Sequence, residues 1–311
     1  MFNIVEKRRW YFIFSAILIA LSIAAMVASS IQFGQPMRLG IDFTGGSIFV
    51  LKFDQPVSEV EIRDVFTDYG VETAIVQPLG APEDYSWQVR TREVTANEVG
   101  ELLAALEEQV GDIDRDALTF DTVEPAVGGE VARAAGWAIL VASLIIVGFM
   151  WFSFRRVPNA FRYGVCTIVG MTHNLLIAFG FYALMGIVAG WEVDALFLTA
   201  ILTVIGFSVQ DVIVVFDRIR ENIPRYKTEP FDTVVNRSIL ETIHRSLATQ
   251  LNAMFVMLAI ILFGGTTIKP FIATMLVGMI SETYSAIFIA VPLLAAWEKA
   301  ATRRALTQAR A

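Results

Sequence analysis

The composition of this chain is that of an integral membrane protein with a soluble part. Of its 311 residues, 55% are hydrophobic and 18% are charged, against roughly 45–50% and about 25% in ordinary soluble domains. These values exclude a disordered chain, a collagen-like chain and a typical soluble enzyme. The single cysteine, Cys166, excludes an intramolecular disulfide framework, and its apolar neighbours predict a small residue within a membrane span.

The charge is unevenly distributed, which divides the chain into two kinds of region. The formal net charge is −7. Residues 32–133 hold 7 basic and 20 acidic residues, whereas the rest of the chain holds 17 basic and 11 acidic residues. This pattern predicts one acidic soluble domain set into a weakly basic membrane protein. The predicted divisions are 1–31 for the N-terminus and first span, 32–133 for the soluble domain, 134–297 for the other spans and 298–311 for the C-terminal tail.

Six stretches are apolar over a length that meets or approaches the 20 or so residues of a membrane-spanning helix. They are Trp10–Ile31, Ala134–Phe154, Tyr163–Ala189, Ala195–Phe216, Ser246–Phe263 and Phe271–Trp297, of which the fifth is the weakest. The first is too long for the apolar part of a signal peptide, and no small-residue cleavage site follows it. We therefore expect the first stretch to be retained as an anchor.

The short loops predict how these spans are oriented. Sixteen basic residues lie at the two ends of the chain and in the loops after the second and fourth spans, whereas the opposite short loops carry only Lys269. Because loops rich in Lys and Arg stay in the cytoplasm, both termini should be cytoplasmic. The acidic domain should then lie on the outside, which in a bacterial inner membrane is the periplasmic side.

The acidic domain is predicted to be a small ferredoxin-like α+β sandwich between the first and second spans. The predicted strands are 47–53, 72–79, 86–92 and 118–123, and the predicted helices are 58–69 and 95–110. Thr95 and Glu98 form a capping-box pattern at the start of the second helix. The resulting β-α-β-β-α-β order is typical of that fold. The domain has no His or Cys and its acidic residues are scattered, so we expect a binding or scaffold module rather than a hydrolase.

A glycine-rich motif, Gly40-Ile-Asp-Phe-Thr-Gly-Gly46, stands just before the first predicted strand. Its last two residues, Gly45 and Gly46, can supply positive φ angles or close packing, and Asp42 could cap the turn. The motif, with Gly40, Asp42, Phe43, Gly45 and Gly46 as its defining residues, resembles the signature of the SecD/SecF family of bacterial protein-export membrane proteins. Further segments fit that family in order: 123–128, 172–174, 206–222, 236–245 and 263–265.

This resemblance implies a function and a set of partners. The family belongs to the wider RND superfamily, whose transporters use the proton gradient. An outer region of about 100 residues favours the SecF branch, because SecD proteins have a much larger one. The implied role is that of a non-enzymatic subunit that promotes preprotein export, with SecD, the SecY channel complex, the translocating preprotein and membrane lipids as partners. No cofactor is implied.

Four positions depart from the family pattern. Asn174 stands where the family usually has Asp, so an ionisable group is lost from the third span. Gln250 and Asn252 stand in a region usually rich in Ser and Thr. Glu282 stands where the family commonly has Gly, which places an acidic group near the middle of the sixth span.

Charged residues within spans are rare and usually face a bundle interior. Asp211 near the inner end of the fourth span and Arg245 near the inner start of the fifth lie at similar depths, so they could pair. The family resemblance places its proton-pathway Asp and Arg on these residues. Asp211 is then the expected proton carrier and Arg245 its partner, since Arg does not deprotonate; a static pair that locks two helices is the alternative.

Other polar residues could extend a proton pathway. His173 lies near the middle of the third span, as either a relay or a structural hydrogen-bonding group. Glu282 is either a protonated structural carboxyl or a replacement for the acidic group missing at Asn174. Thr249 and Asn252 share the helix face of Arg245, Ser208 shares that of Asp211, and His244 points about 100° away from Arg245.

The sequence also excludes several activities. No Gly-x-x-x-x-Gly-Lys-Ser/Thr motif is present, so we do not expect ATP to drive this chain. With two His and one Cys, no metal-ligand spacing is recognisable, and no basic stripe indicates nucleic-acid binding. Two alternatives to the export role are a proton-coupled RND-type exporter of lipids or small molecules and a non-transporting scaffold. The single six-span set with one modest outer domain argues against the exporter.

Overall fold

A computed structural model describes residues 3–71, 74–80, 84–155, 159–265 and 268–308. The chain divides into two compact units. The first, here called the helical unit, comprises residues 1–38, 137–192 and 196–311. The second, the α+β unit, comprises residues 39–136 together with the short segment 193–195.

Six helices are long and apolar enough to cross a membrane, which confirms the predicted six-span architecture. They are α1 (Arg8–Phe33), α5 (Pro125–Phe154), α6 (Ala160–Ala189), α7 (Ala195–Arg225), α8 (Phe231–Phe263) and a sixth formed by α9 (Lys269–Ser285), a π-helical turn (Ala286–Ala290) and α10 (Val291–Gln308). The fifth predicted span, which was expected to start at Ser246, is the second half of a longer helix, because α8 begins at Phe231. Likewise, α7 continues past the predicted end of the fourth span.

The first span packs against the third through small residues. The buried residues of α1 are Ser15, Ser22 and Ser29, spaced seven apart along one face of the helix. A methyl group added at Gly180 of α6 would lie 2.2 Å from the Cβ of Ser22. Lipid tails are as apolar as Leu, so helices in a membrane associate through close packing of this kind rather than through a hydrophobic driving force.

A second close approach joins the fourth and sixth spans. A Cβ added at Gly278 of α9 would lie 2.2 Å from Val204 Cγ2 of α7. Towards the other end of α7, Phe154, Tyr163 and Phe216 form an aromatic group with ring centroids 5.0–6.0 Å apart. The helical unit therefore combines small-residue contacts with an aromatic core.

The α+β unit confirms the ferredoxin-like prediction. Its elements are a short α2 (Ile41–Thr44), β1 (Gly46–Lys52), α3 (Glu59–Asp68), β2 (Ile75–Pro78), β3 (Ser86–Thr91), α4 (Ala96–Gln109) and β4 (Thr119–Val123). The sheet order is β2-β3-β1-β4, and every neighbouring pair is antiparallel. This order follows from the β-α-β-β-α-β sequence when each helix crosses over the same sheet face. Residues 72–73 of the second predicted strand lie outside the described residues.

The core of this unit lies between the sheet and helices α3 and α4. Phe49 and Val89 face each other across β1 and β3, and both are fully buried. Phe66 of α3 contacts Phe49 edge to face, with ring centroids 5.5 Å apart, and Leu102 of α4 is also buried in this cluster. Alternate residues of the central strand therefore anchor both helices to one face of the sheet.

Helices α3 and α4 each begin with a capping box. The Ser58 amide donates to the Glu61 carboxylate at 2.8 Å, and the Thr95 amide donates to Glu98 at 2.7 Å. The Thr95 hydroxyl also donates to Glu98, at 2.8 Å. These hydrogen bonds from Thr95, with a smaller contribution from Arg92, lower the pKa of Glu98 to about 2, because they favour the ionised carboxylate.

We expect Gly180→Ala and Gly278→Ala each to destabilise the helical unit by about 1–3 kcal/mol, because the added methyl forces two packed helices apart. Gly148→Ala in α5 is the matched control, since nothing lies within 4 Å of a Cβ at that position. Thermal unfolding of the detergent-solubilised chain measures the effect. Equal stability of all three variants would contradict the close-packing account.

We expect the stabilisation of α4 by the Glu98 cap to be lost at acidic pH. Its pKa is lowered from 4.5 to about 2, so its stabilisation is fully present above about pH 4.5 and is lost as the pH falls towards 2. Glu98→Gln should therefore speed amide exchange in the first turn of α4 near neutral pH. Glu101→Gln, in the same helix but outside the box, should not. A difference between wild type and Glu98→Gln that disappeared well above pH 4.5 would refute this assignment.

Candidate functional site

The glycine-rich motif forms a tight connection within the α+β unit. The Gly40 amide donates to the Val193 carbonyl at 2.8 Å. Asp42 accepts a 2.8 Å hydrogen bond from the Ala195 amide at the first residue of α7. The sequence suggested that Asp42 could cap its own turn. In the structure its carboxylate instead accepts from an amide at a helix N-terminus, where a negative charge is favourable.

The paired glycines are required by backbone geometry. Gly45 has φ 75° and Gly46 has φ 125°, values that side-chain-bearing residues adopt rarely. A Cβ at Gly46 would also lie 2.5 Å from the Thr91 carbonyl oxygen of β3. Gly128, in a segment that also resembles the family, would place a Cβ 2.9 Å from the Phe43 backbone. The motif is therefore a packed turn whose glycines permit close contact between main chains.

The helical unit holds two carboxyl groups in its interior. Asp211 of α7 is 4% exposed and Glu282 of α9 is 0% exposed. Gln250 of α8, also 4% exposed, donates from its single Nε2 atom to both: 3.1 Å to Asp211 Oδ2 and 2.7 Å to Glu282 Oε2. We call these three residues the carboxyl–amide bridge. It links three of the six spans at one point.

A second polar group surrounds Asn174 of α6. Its side-chain amide donates to Ser208 Oγ at 3.0 Å, and its Oδ1 accepts from Ser281 Oγ at 2.8 Å. His173 is buried, and its Nδ1 lies 3.2 Å from Asn174 Oδ1 and 3.4 Å from Ser281 Oγ. Ser281 and Glu282 are consecutive residues of α9, so the group around Asn174 lies at nearly the same depth as the carboxyl–amide bridge.

Arg245 is not part of this interior. It is exposed, and among the described residues it makes no ion pair with Asp211. The reason is helical phase: Gln250 lies five residues after Arg245, so the two point about 140° apart on α8. The expected Asp211–Arg245 pair is therefore replaced here by Asp211–Gln250. Sequence analysis noted Gln250 only as a departure from the family pattern and did not place it beside Asp211. In the structure Gln250 shares the inward face of α8 with Ser246, four residues earlier, and both are buried.

Arg245 instead belongs to a polar face on the outside of the helical unit. Thr249 and Asn252 are also exposed and lie within about 60° of one another and of Arg245 around α8. We call these three residues the outer polar strip. Polar side chains on a membrane span normally face protein or water rather than lipid.

The buried carboxyls are suited to holding and releasing a proton. Glu282 Oε1 and His173 Nε2 are buried without a hydrogen-bond partner among the described residues. Unpaired charge is costly in such a site, so protonation is the readiest way to neutralise a carboxyl there. No group of three or more His, Cys, Asp or Glu side chains could hold a metal ion within the described ranges.

Comparisons with known proteins agree with the motifs and the fold. The model for "Protein export membrane protein SecD/SecF, C-terminal" matches residues 103–300, and the SecD/SecF GG motif model matches residues 31–57. The protein translocase subunit SecF of Thermobaculum terrenum is 43% identical over 271 residues, which cover 84% of this chain and 85% of that protein. The SecF of Anaerolinea thermophila is 41% identical over 305 residues, which cover 96% of this chain and 94% of that protein.

Solved structures extend the comparison to three dimensions. The crystal structure of SecDF, a translocon-associated membrane protein from Thermus thermophilus, superposes with a TM-score of 0.80 at 27% identity. The alignment covers 96% of this chain but only 39% of that SecDF chain. A second SecDF crystal structure, described as a super-membrane-facing form, gives a TM-score of 0.68 at 28% identity. From the matched models and the extent of the SecF similarity, we conclude that this chain belongs to the SecD/SecF family of protein export membrane proteins.

Proposed function

We propose that this chain is the SecF-type subunit of a protein translocase and that, with SecD, it uses the proton gradient to promote preprotein export. The observation that carries the proposal is Asp211, a carboxyl group 4% exposed in the interior of a six-span bundle. Among the described residues no basic side chain forms an ion pair with it. An acid in that position, in a chain similar to translocase subunits, is suited to taking up and releasing a proton.

The coupling would rest on two protonation states of Asp211. A neutral Asp211 can stay within the bundle as a hydrogen-bonding group, whereas an ionised one favours a conformation that supplies water or a cation. Arg245 lies about one and a half helical turns from Gln250 on the outside of α8, so rotation or tilting of this helix would bring the guanidinium closer. Alternation between these arrangements would convert proton passage into movement of the spans.

The outer polar strip supports a membrane-embedded partner. Arg245, Thr249 and Asn252 are exposed on α8. The Thr249 hydroxyl donates to the Arg245 carbonyl within the helix, but lipid offers no hydrogen-bond partner for the side chains of Arg245 and Asn252. The SecDF chains that resemble this protein are more than twice as long as the aligned region, since this chain covers 39% of one and 40% of the other. A SecD subunit that packs against the strip would provide both the missing spans and polar partners for these side chains.

The basic residues support an orientation for this assembly. Sixteen Lys and Arg residues at the ends of the chain and in two short loops, against Lys269 alone in the opposite short loops, favour cytoplasmic termini. The α+β unit would then lie in the periplasm of a bacterium, on the exit side of the membrane. There its two edge strands, β2 and β4, could pair with extended preprotein by β-augmentation.

We expect Asp211→Asn to reduce preprotein export into inverted membrane vesicles to the level seen without a proton gradient, because Asn cannot exchange a proton. Asp217→Asn is the matched control, since Asp217 lies on the same helix but pairs with Arg220 at a partly exposed position. Membrane insertion and copurification with SecD should be unchanged in both variants. Full gradient-dependent export by the Asp211→Asn variant would exclude the carrier role.

We expect a cysteine at Gln109 to react with a membrane-impermeant thiol reagent in intact cells, and one at Thr228 to react only after permeabilisation. Both positions are exposed, and the only native cysteine, Cys166, is buried, so background labelling should be low. Labelling of Thr228→Cys but not Gln109→Cys in intact cells would show the opposite orientation.

A further inference from the structure

We propose that the carboxyl–amide bridge holds one proton shared between Asp211 and Glu282, with Gln250 as the positioning residue that makes the two carboxyl groups act as a single unit. The proposal goes beyond a proton carrier at Asp211 alone. It assigns a role to two residues, Gln250 and Glu282, at which this chain departs from the family pattern. It rests on the proposed function only for its transport experiment.

The first argument is distance. One nitrogen atom donates to both carboxyl groups, at 3.1 Å and 2.7 Å. The two accepting oxygens are therefore no more than about 6 Å apart, a range at which like charges in a medium of low dielectric constant repel strongly. Two carboxylates at this separation cannot both be ionised without a compensating cation, so their protonation is coupled.

The second argument is the charge around the bridge. Of the groups hydrogen-bonded into this interior, His173 of α6 is the only other titratable side chain among the described residues, and its ring contacts Asn174 and Ser281 rather than either carboxyl group. On α8, Arg245 is exposed on a different side of the helix from Gln250. On α9, the Tyr284 hydroxyl points away and donates to the Tyr11 carbonyl. A proton is therefore the available counter-charge.

The third argument is the chemistry of the amide. An NH₂ group can donate to two acceptors at once, which suits one carboxylate and one neutral carboxyl presenting its carbonyl oxygen. Rotation of the amide would present its oxygen instead, which suits a pair with two protons. A neutral Gln thus accommodates a change in proton number that a fixed cation such as Arg would resist. Glu282 Oε1, buried without a partner among the described residues, is consistent with a carboxyl that is not permanently charged.

Infrared spectroscopy of the full chain in liposomes, with and without ¹³C-labelled glutamate, tests the shared proton directly. At neutral pH we expect the carbonyl stretch of one buried, protonated carboxyl group. Both Asp211→Asn and Glu282→Gln should alter this band, and the double variant should abolish it. Gln250→Leu should shift it to higher frequency, because the carboxyl carbonyl loses its amide donor. Asn252→Leu, the same kind of change at an exposed position of α8, should leave it unchanged.

Three results would overturn the proposal. No band would mean that both carboxyls are ionised, two bands would mean that each holds its own proton, and a band unaffected by Gln250→Leu would mean that the amide does not position the pair.

A transport assay separates this inference from the proposed function. We expect Gln250→Leu to lose gradient-stimulated export and Asp217→Asn, the control used above, to retain it. If Asp211→Asn abolishes stimulation but Gln250→Leu does not, the positioning role is wrong while the proposed function stands. If the infrared results are as expected but Asp211→Asn exports normally, the shared proton is supported and the proposed function fails.

Discussion

A polar side chain within a membrane-spanning bundle must find its hydrogen-bond partners inside the bundle, because hydrocarbon offers none. In this protein Gln250 satisfies that constraint for three helices, because its one amide nitrogen donates from α8 to carboxyl groups on α7 and α9. The bridge fixes the rotation of three helices about their own axes. A turn of about 100° by any of them, equivalent to one residue, would leave a buried carboxyl or amide unpaired. The same helix orientation therefore both buries these three side chains and pairs them.

Such short contacts require helices that lie close together. Gly278, one helical turn before Glu282 on α9, packs directly onto Val204 of α7, seven residues before Asp211. The absence of a side chain at Gly278 lets the two backbones approach, and this approach places their carboxyl groups within reach of one amide. The small-residue packing that stabilises the bundle thus also sets the geometry of its polar interior.

Periodicity and composition predict most of the architecture. The six spans follow from hydrophobic length, and the ferredoxin-like unit follows from the order of its elements and from the capping pattern at Thr95 and Glu98. Both are local signals that need no knowledge of the partner segment. The continuity of α8 was not predicted. The span was predicted from hydrophobic length, which detects only the apolar second half of the helix, whereas the polar first half is helical as well.

Contacts between distant segments were less predictable. Depth in the membrane suggested that Asp211 and Arg245 could meet, but depth leaves open the angle around each helix, and that angle turns Arg245 outward and Gln250 inward. The bond from the Ala195 amide to Asp42 joins residues 153 positions apart, and no periodic pattern encodes such a distance. Similar depths were predicted for Asn174 and Glu282, and Asn174 accepts a hydrogen bond from Ser281, the residue before Glu282.

The π-helical turn at Ala286–Ala290 brings the two halves of the sixth span into phase. In an uninterrupted α-helix, Glu282 and Leu294 would point about 120° apart. The wide turn adds one residue without adding a turn, which reduces this angle to about 20°. Both side chains can therefore be fully buried on the same side of the span. The buried positions of this span therefore follow one helical phase before residues 286–290 and a second phase, offset by one residue, after them. Buried positions in related sequences should be assigned separately for the two halves.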